Sequence, residues 1–244
     1  MTTLSKNKSV INKINEIEQV LLKLGDMFRA KAYKTASAAL MTYADEIKSE
    51  TQLKQIKGVG PSIAKKIMEY IETGEINELN TLKSRPEILF TNVYGIGPKK
   101  AKELTQSKIT TINQLKEAYE NNPEILNDKQ SLGLKYYDDI MERIPRNEIT
   151  TFNKILTQII TSDSQLKFEI VGSYRRGAKT SGDIDVILTT TTPSLTQTQQ
   201  QQLFKKLIAK LVSTKIIVHV LAQGNSKSLV IGHVPHSQYH RRID

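Results

Sequence analysis

Two aspartates separated by one residue, Asp183 and Asp185, are the first candidates for chemistry in this sequence. In an extended strand both would project to one face, about 7 Å apart, while Ile184 and Val186 would face the core. Carboxylates so placed repel each other unless a divalent cation lies between them, and hard cations that also bind phosphate suit such a pair. The spacing therefore predicts a divalent metal site.

A glycine-serine turn, Gly172-Ser173, precedes this pair by a few residues and is followed by Arg175 and Arg176. Backbone N–H groups and a hydroxyl at such a turn can hold a phosphate, and the arginines supply charge partners. An Asp-x-Asp strand alone is more often a surface feature than a catalytic one. Together with Gly-Ser on the preceding element, it indicates metal-assisted phosphate chemistry.

Lys66 is a second candidate, in a helix predicted to begin at Pro61. At 100° per residue, the residues Ile63, Ile67 and Ile71 define the apolar stripe, so that Lys66 lies on its flank and Lys65 points away. A partly desolvated amine with cationic neighbours has a lowered pKa and can attack an aldehyde as a Schiff-base nucleophile. Simple phosphate binding is the alternative, and the residues alone favour it.

A Gly-x-Gly-Pro motif occurs twice, as Gly58-Val59-Gly60-Pro61 and as Gly95-Ile96-Gly97-Pro98, and lysines such as Lys99 follow. Glycines let a backbone approach closely, and N–H groups at a helix start can hold a phosphate. The same motif can be a tight turn between helices. Two copies followed by lysines favour binding to a sugar-phosphate backbone without base specificity.

The hydrophobic periodicity predicts an all-helical first half and a mixed α and β second half, which begins near Arg143. A Thr/Gln tract, Thr189 to Gln202, lacks apolar residues and is predicted to be an exposed loop. The predicted helices cover Val10–Leu24, Phe28–Ile47, the stretch from Pro61 to about Gly74, Phe152–Ile160 and Leu203–Val212. The predicted strands cover Phe168–Val171, Ile184–Leu188, Ile216–Leu221 and Ser228–Val234.

The amino-acid composition favours a protein that binds a polyanion and excludes several other classes of protein. The net charge of +10 is uneven, with +7 in residues 142–244, which suits a polyanionic partner. The absence of cysteine excludes disulfides and thiolate zinc sites, so that a metal must bind oxygen or imidazole. No apolar run is long enough to span a membrane, and the polar N-terminus does not have the form of a signal peptide.

Several motifs in the same order resemble family X of the DNA polymerases, within the nucleotidyltransferase superfamily. Gly172-Ser173 with Asp183-x-Asp185 is the superfamily signature, and the similarity runs along the whole chain. The other segments that carry it are both Gly-x-Gly-Pro hairpins, Phe28–Tyr33, Gly133–Tyr137, Arg143–Arg146 and His240–Asp244.

The resemblance implies an α+β protein with an N-terminal lyase-like helical domain in residues 1–80, a helical DNA-binding subdomain in 81–142 and a nucleotidyltransferase palm in 143–244. Each helical part would hold one helix-hairpin-helix motif. The family continues beyond the third palm aspartate into a thumb. We therefore expect a partial form of the polymerase, with little primer extension by this chain alone.

In the palm, the resemblance implies that Asp183, Asp185 and Asp244 hold two Mg²⁺ ions, which Mn²⁺ could replace. Further residues would bind the triphosphate of the incoming deoxynucleotide, namely Ser173, Arg176, Gly182 and, less strongly, Arg146.

In the N-terminal domain, Lys66 falls on the family's Schiff-base lysine, which removes a 5′-deoxyribose phosphate, and Arg29 and Tyr33 fall on its DNA-contacting neighbours. Ser62 stands where the family has a phosphate-binding lysine, and Glu75 and Glu78 replace basic residues, which predicts a weaker lyase. The family also binds Na⁺ or K⁺ through backbone carbonyls of both hairpins. The matching positions are Lys54, Ile56 and Val59 in the first hairpin and Thr91, Val93 and Ile96 in the second.

The function that follows is gap-filling DNA synthesis in base excision repair, with 5′-deoxyribose phosphate lyase activity, by a monomer in the nucleus. Its partners would be gapped or nicked double-stranded DNA and deoxynucleoside triphosphates, and no membrane. Two alternatives are a lyase alone and a non-catalytic helix-hairpin-helix DNA adaptor with a vestigial palm.

Overall fold

A computed structural model describes residues 6–160 and 165–244. The chain forms two compact units, Met1–Gln130 and Ser131–Asp244. The first unit is helical, and the second combines helices with short antiparallel strands, which confirms the α+β class. None of the described helices is long and apolar enough to cross a membrane.

The first unit is built around α1, whose apolar residues recur at helical spacing and pack against the following helices. Helix α1 ends at Gly25, which adopts a left-handed conformation with φ 79°. The buried centre includes Ile14, Leu40 and Ile67. The helices of this unit are α1 Lys8–Leu24, α2 Met27–Thr42, α3 Glu50–Gln55, α4 Pro61–Thr73, α5 Asn77–Lys83, α6 Pro86–Phe90, α7 Pro98–Gln106 and α8 Ile112–Asn121, then a 3-10 turn Pro123–Ile125; α9 Asp128–Lys135 crosses the unit boundary.

The two Gly-x-Gly-Pro motifs have the same backbone conformation, which confirms that they are copies of one hairpin. The first glycine of each, Gly58 and Gly95, has a positive φ, 101° and 86° respectively. The second glycine of each is the extended N-cap of the next helix, α4 or α7, and the proline is its first residue. Each motif therefore turns the chain sharply into a new helix.

The second unit places helices beside three small antiparallel sheets, with strand orders β1-β3, β2-β4 and β5-β6-β7. Helices α11 and α13 supply apolar side chains to one core with the strands, including Phe152, Leu156 and Leu211. The elements are α10 Tyr137–Met141, β1 Ile144–Pro145, α11 Arg146–Ile160, β2 Leu166–Ile170, α12 Gly172–Arg175, β3 Thr180–Ser181, β4 Val186–Thr190, α13 Gln197–Ser213, β5 Ile217–Gln223, β6 Ser228–His233 and β7 His240–Ile243.

Three expectations about these elements were wrong. Helix α2 ends at Thr42, and Ile47 is buried outside any helix. Within the Thr/Gln tract, Thr189 and Thr190 belong to β4, where they pair with β2. Residues 197–202 form the start of α13 instead of a loop, because Thr196 and Gln199 make a capping box there. Ile71 does not continue the buried stripe of α4, since it is 39% exposed.

Candidate functional site

The second unit brings Asp244 beside Asp183 and Asp185, although they are distant in sequence. Strand β7 runs parallel to the segment before β4, and Ile184 pairs with Ile243. The backbone N–H of Asp244 donates to the Ile184 carbonyl at 3.0 Å, and the Val186 N–H donates to the Asp244 carbonyl at 2.9 Å. Because side chains alternate along paired strands, this register places the three aspartates on the same side.

The three carboxylates form a compact acidic cluster. One oxygen from each of Asp183, Asp185 and Asp244 lies within 4.8 Å of the others, and all three residues are half-buried. Arg242 partly neutralises them, through a hydrogen bond to Asp183 Oδ2 and an Nε that lies 3.4 Å from Asp244 Oδ1. The three carboxylates thus lie close together, and Arg242 pairs directly with two of them.

The cluster raises the pKa of Asp185 above its ordinary value. Burial is the largest cause, and the negative charges of Asp183 and Asp244 add to it. The positive charges of Arg242 and Arg176 oppose the rise without cancelling it. Ionisation of Asp185 at this position therefore costs free energy that a cation would recover.

A divalent cation fits this cluster. Carboxylate oxygens are the ligands that hard cations such as Mg²⁺ prefer. Oδ1 of Asp244 is buried and has no hydrogen-bond partner among the described residues, since its contact with Arg242 is poorly aligned. A buried acceptor without a donor is costly, and a metal ion would satisfy it.

The Gly-Ser turn lies directly against the aspartates. Gly172 begins α12 with φ 59°, and a β carbon at this position would overlap the Asp185 carboxylate. The Val171 N–H donates to the Asp185 carbonyl at 2.9 Å, which holds the turn to this segment. Ser173 Oγ donates to Ser181 Oγ at 2.7 Å. The structure therefore brings together the two motifs that the sequence predicted to act jointly.

The predicted nucleotide-binding residues differ in the contacts that they make with other residues of the protein. Arg146 donates to the Tyr174 carbonyl at 2.7 Å and stacks on the Tyr174 ring at 4.2 Å, so it supports the turn that carries Ser173. Arg176 is exposed and close enough to lower the pKa of Asp185. Gly182 lies near Arg143, whose guanidinium binds the Thr180 carbonyl at 2.7 Å.

Sequence reasoning gave no role to Arg242, Ser181 or Lys227, which the structure places at this site. Lys227 Nζ lies 3.9 Å from Asp244 Oδ2. A signal for Arg242 was available, because it precedes Asp244 by two residues and a strand places such residues on one face. Nothing in the sequence pattern indicated Ser181 or Lys227.

In the first unit, Lys66 lies in a polar cluster formed by α2, α4 and α5. Its side chain is only 16% exposed, and Nζ lies 2.9 Å from Glu78 Oε2 and donates to Ser62 Oγ at 2.9 Å. Lys65, next to it in α4, is exposed. The predicted difference in exposure between Lys66 and Lys65 is confirmed.

The predicted lowering of the Lys66 pKa is wrong. Burial of the amine would lower its pKa, but the Glu78 carboxylate and the Tyr33 hydroxyl outweigh burial and raise the pKa above its ordinary value. The prediction assumed cationic neighbours, whereas the nearest charge is negative. At neutral pH the Lys66 side chain is therefore an ammonium.

Arg29 and Tyr33 face this cluster from α2, as the family resemblance implied. Arg29 Nη1 lies 2.9 Å from Glu78 Oε1, and its Nε lies 2.6 Å from Asp26 Oδ2. Tyr33 is buried, and burial raises the pKa of its hydroxyl while the Lys66 charge opposes the rise. Glu78 is thus shared between the two basic side chains.

The hairpin residues predicted to contact DNA lie at the start of α4 and α7. A β carbon on Gly60 or Gly97 would meet no atom within 4 Å, so a ligand could approach the backbone there. Lys99 is exposed on the first turn of α7. The two hairpins contain the same backbone hydrogen bond within the predicted cation-binding sets. The Ile56 carbonyl accepts from the Val59 N–H, and the Val93 carbonyl accepts from the Ile96 N–H, each at 3.0 Å. Cation binding by all six carbonyls stays a prediction.

Three family models match consecutive parts of the chain. They describe a helix-hairpin-helix domain at residues 5–76, the fingers domain of DNA polymerase lambda at 88–141 and the DNA polymerase beta palm at 143–244. The chain is 32% identical to DNA polymerase lambda of Arabidopsis thaliana and 28% identical to DNA polymerase lambda of Rattus norvegicus. It is 25% identical to the DNA polymerase type-X family protein pol4 of Schizosaccharomyces pombe.

Each of these alignments covers 75% of the chain. The aligned region corresponds to only 35%, 32% and 36% of the three relatives, in the same order. The chain thus spans about a third of the length of the curated relatives that it matches.

Proposed function

Because the chain belongs to family X of the DNA polymerases, we propose that it is part of a nuclear DNA polymerase that fills short gaps during base excision repair. The observation that carries this proposal is the cluster of Asp183, Asp185 and Asp244 beside Gly172-Ser173. The proposed substrates are gapped or nicked double-stranded DNA and deoxynucleoside triphosphates, and the proposed form is a monomer.

We propose that the three aspartates hold two Mg²⁺ ions. When bound, such ions lower the pKa of an attacking hydroxyl and neutralise a leaving pyrophosphate. Asp183 and Asp185 would hold the triphosphate through the metal, and Asp244 would lie at the primer 3′-hydroxyl. Arg242 occupies Oδ2 of Asp183 in the structure, so a metal bound through that oxygen would require the Arg242 guanidinium to move.

Residues on the adjoining turn would hold the nucleotide. Ser173, which now donates to Ser181, would turn its hydroxyl to a phosphate oxygen, and Arg176 would add positive charge. Gly182 would let the triphosphate approach the backbone. Arg146 would act on this site indirectly, since its guanidinium already supports the turn at Tyr174.

The two hairpins would bind the DNA backbone on either side of a gap, with K⁺ or Na⁺ at the hairpin carbonyls. Their glycine turns and the exposed Lys99 suit contacts with phosphate, which carry no base specificity. Removal of residues 1–80 should weaken binding to gapped DNA more than binding to a plain primer-template. Equal weakening for both DNAs would contradict the assignment of the first hairpin to the 5′ side of the gap.

The metal and nucleotide assignment is tested by binding. The protein should bind a deoxynucleoside triphosphate in the presence of Mg²⁺ and lose this binding when the metal is chelated. Asp183→Ala should abolish metal-dependent nucleotide binding, whereas an Ala at the exposed Glu117 should leave it unchanged. Metal-independent binding of equal strength in both variants would overturn the proposal.

A second candidate function, 5′-deoxyribose phosphate lyase, is favoured by the enclosed position of Lys66 beside Tyr33 and Arg29. In this reaction the neutral Nζ attacks the C1′ aldehyde, and water leaves to give an imine. Solvent then takes a C2′ proton, the electron pair forms a C2′=C3′ double bond, and the C3′–O bond breaks to release the DNA strand with a 5′-phosphate. Hydrolysis of the imine returns the Lys66 amine. Borohydride reduces the imine to a stable cross-link. The wild type should cross-link to incised abasic DNA, Lys66→Ala should lose most of the product and Lys65→Ala should keep it. Equal loss or equal retention in both variants would contradict the assignment.

A further inference from the structure

The Lys66 amine is held by hydrogen-bond acceptors from α4 and α5. An ammonium has three N–H donors. In the structure, Nζ contacts Glu78 Oε2 and Ser62 Oγ, each at 2.9 Å, and donates to the Ser62 carbonyl at 3.4 Å. This arrangement satisfies the charged form of the amine, and it leaves no lone pair for attack on a carbonyl carbon.

Glu78 is itself held in place from the other side. Its second oxygen, Oε1, lies 2.9 Å from Arg29 Nη1, and Arg29 is held by Asp26 at 2.6 Å. Asp26 is the N-cap of α2 and also accepts from the Arg29 N–H at 3.1 Å. Charges thus alternate from Asp26 through Arg29 and Glu78 to Lys66, and they cancel.

Resting on the lyase function proposed above, we propose that Glu78 is a positioning residue that keeps Lys66 protonated in the resting protein. Attack on the aldehyde then requires the Lys66–Glu78 pair to open and the amine to release its proton to solvent. Glu78 would therefore control the first step of the reaction.

The expected pH dependence follows from the groups around Nζ. Tyr33 and Arg29 face Nζ or Glu78 from α2, Ser62 belongs to its own helix, and Glu78 comes from α5. The Glu78 carboxylate raises the pKa of Lys66, whereas burial lowers it. Glu78→Gln removes the negative charge that opposes the effect of burial. The pKa of Lys66 should therefore fall, and the amine should lose its proton at lower pH.

The test measures initial rates of Lys66-dependent borohydride cross-linking to incised abasic DNA between about pH 6 and 9. Glu78→Gln should increase the rate at pH 7 by at least about threefold, because the neutral amine is the nucleophile. It should also move the rising limb of the profile to lower pH. The control is Glu72→Gln, since Glu72 is exposed on α4, the helix that carries Lys66, and its profile should match the wild type.

Glu78→Asp is a second variant for the case in which Gln at this position unfolds the domain. Its shorter side chain keeps the charge but cannot reach both partners, so its profile should lie between those of Glu78→Gln and the wild type. An NMR titration of the Lys66 ε-methylene in the free protein gives a readout independent of DNA, and its midpoint should fall in Glu78→Gln.

The outcomes separate this inference from the function on which it rests. An unshifted profile in Glu78→Gln, with cross-linking still dependent on Lys66, would overturn the role of Glu78 and leave the lyase function standing. A lower rate without a shift would also overturn it, since it would indicate a structural role. The absence of any Lys66-dependent cross-link in the wild type across the pH range would overturn both.

Discussion

Gly172 lies against the carboxylate of Asp185 so closely that any side chain at position 172 would overlap it. Gly172 also has φ 59°, a conformation that other residues adopt at a cost. The turn that carries Ser173 and the carboxylate proposed to bind metal are therefore packed as one unit. This contact explains why the two motifs occur together in the sequence.

The contact predicts that Gly172→Ala displaces Asp185. Steric overlap and the positive φ together should cost about 1–3 kcal/mol of unfolding free energy, measured by urea denaturation. Mn²⁺ affinity should fall as well. Gly224→Ala is the control, since a β carbon there meets its nearest atom at 3.5 Å and φ is not positive. Wild-type stability and Mn²⁺ binding in Gly172→Ala would contradict this packing.

Asp185→Asn should stabilise the protein in the absence of metal. The folded-state pKa of Asp185 is raised, so its contribution to stability is present below the unfolded pKa and is lost as the pH rises through the folded pKa. At pH 7 the ionised group is unfavourable, and its removal should raise Tm by roughly 2–4 °C.

The difference in Tm between Asp185→Asn and the wild type should shrink as the pH falls through the folded-state pKa of Asp185, where the wild-type carboxyl takes up a proton. It should also shrink when Mg²⁺ is added. The exposed Glu117→Gln should change Tm by much less. A lower Tm for Asp185→Asn without metal would show that the Asp185 carboxylate is not destabilised by the charges of Asp183 and Asp244.

The ion pair between Arg241 and Glu148 should be the most sensitive polar contact of the second unit. Arg241 is 3% exposed, and its Nε and Nη2 donate to Glu148 at 2.6 and 2.8 Å. Arg241→Ala should cost about 3–5 kcal/mol, because it leaves a largely buried carboxylate without its partner. Arg175→Ala breaks the exposed 3.3 Å pair with Glu169 and should cost about 1 kcal/mol or less. Equal costs in urea denaturation would refute this difference.

Lys99 should contribute to DNA binding through a single phosphate contact. Lys99→Ala should weaken binding to gapped DNA similarly for different base sequences, and it should reduce the slope of log K against log salt by about one. Lys108, which follows the other end of α7, is the control, and Lys108→Asn preserves its left-handed backbone. A sequence-dependent loss for Lys99→Ala, or an equal loss for both variants, would argue against phosphate binding at the start of α7.

In the second unit, local sequence patterns predicted only part of the aspartate cluster. Alternation placed Asp183 and Asp185 on one face, and the structure agrees, although both precede β4 rather than lie within it. The approach of Asp244 depends on the parallel register of β7 with Ile184, which no local pattern specifies. Only the family resemblance indicated Asp244. The pairing of Arg242 with Asp183 likewise depends on this register.

The first unit shows a different limit. Helical periodicity correctly separated Lys66 from Lys65, because both lie on the same helix and burial follows from its apolar stripe. It could not give the pKa of Lys66, which depends on a carboxylate from α5 and a hydroxyl from α2. The error came from long-range contacts, since the sequence identified Glu78 as an unusual residue but not as the partner of Lys66.

We propose that Asp183, Asp185 and Asp244 together hold the divalent metal ions for nucleotidyl transfer. Titration of Mn²⁺ with detection of the bound ion by electron paramagnetic resonance, with and without dATP, tests it most directly. Wild-type protein should bind Mn²⁺ more tightly when dATP is present, and Asn at any of the three positions should weaken this binding at least about tenfold, because affinity depends on the number of charged ligands. Glu169→Gln should bind as the wild type does. Equal Mn²⁺ affinity in the wild type and the three aspartate variants would show that these aspartates do not bind the metal.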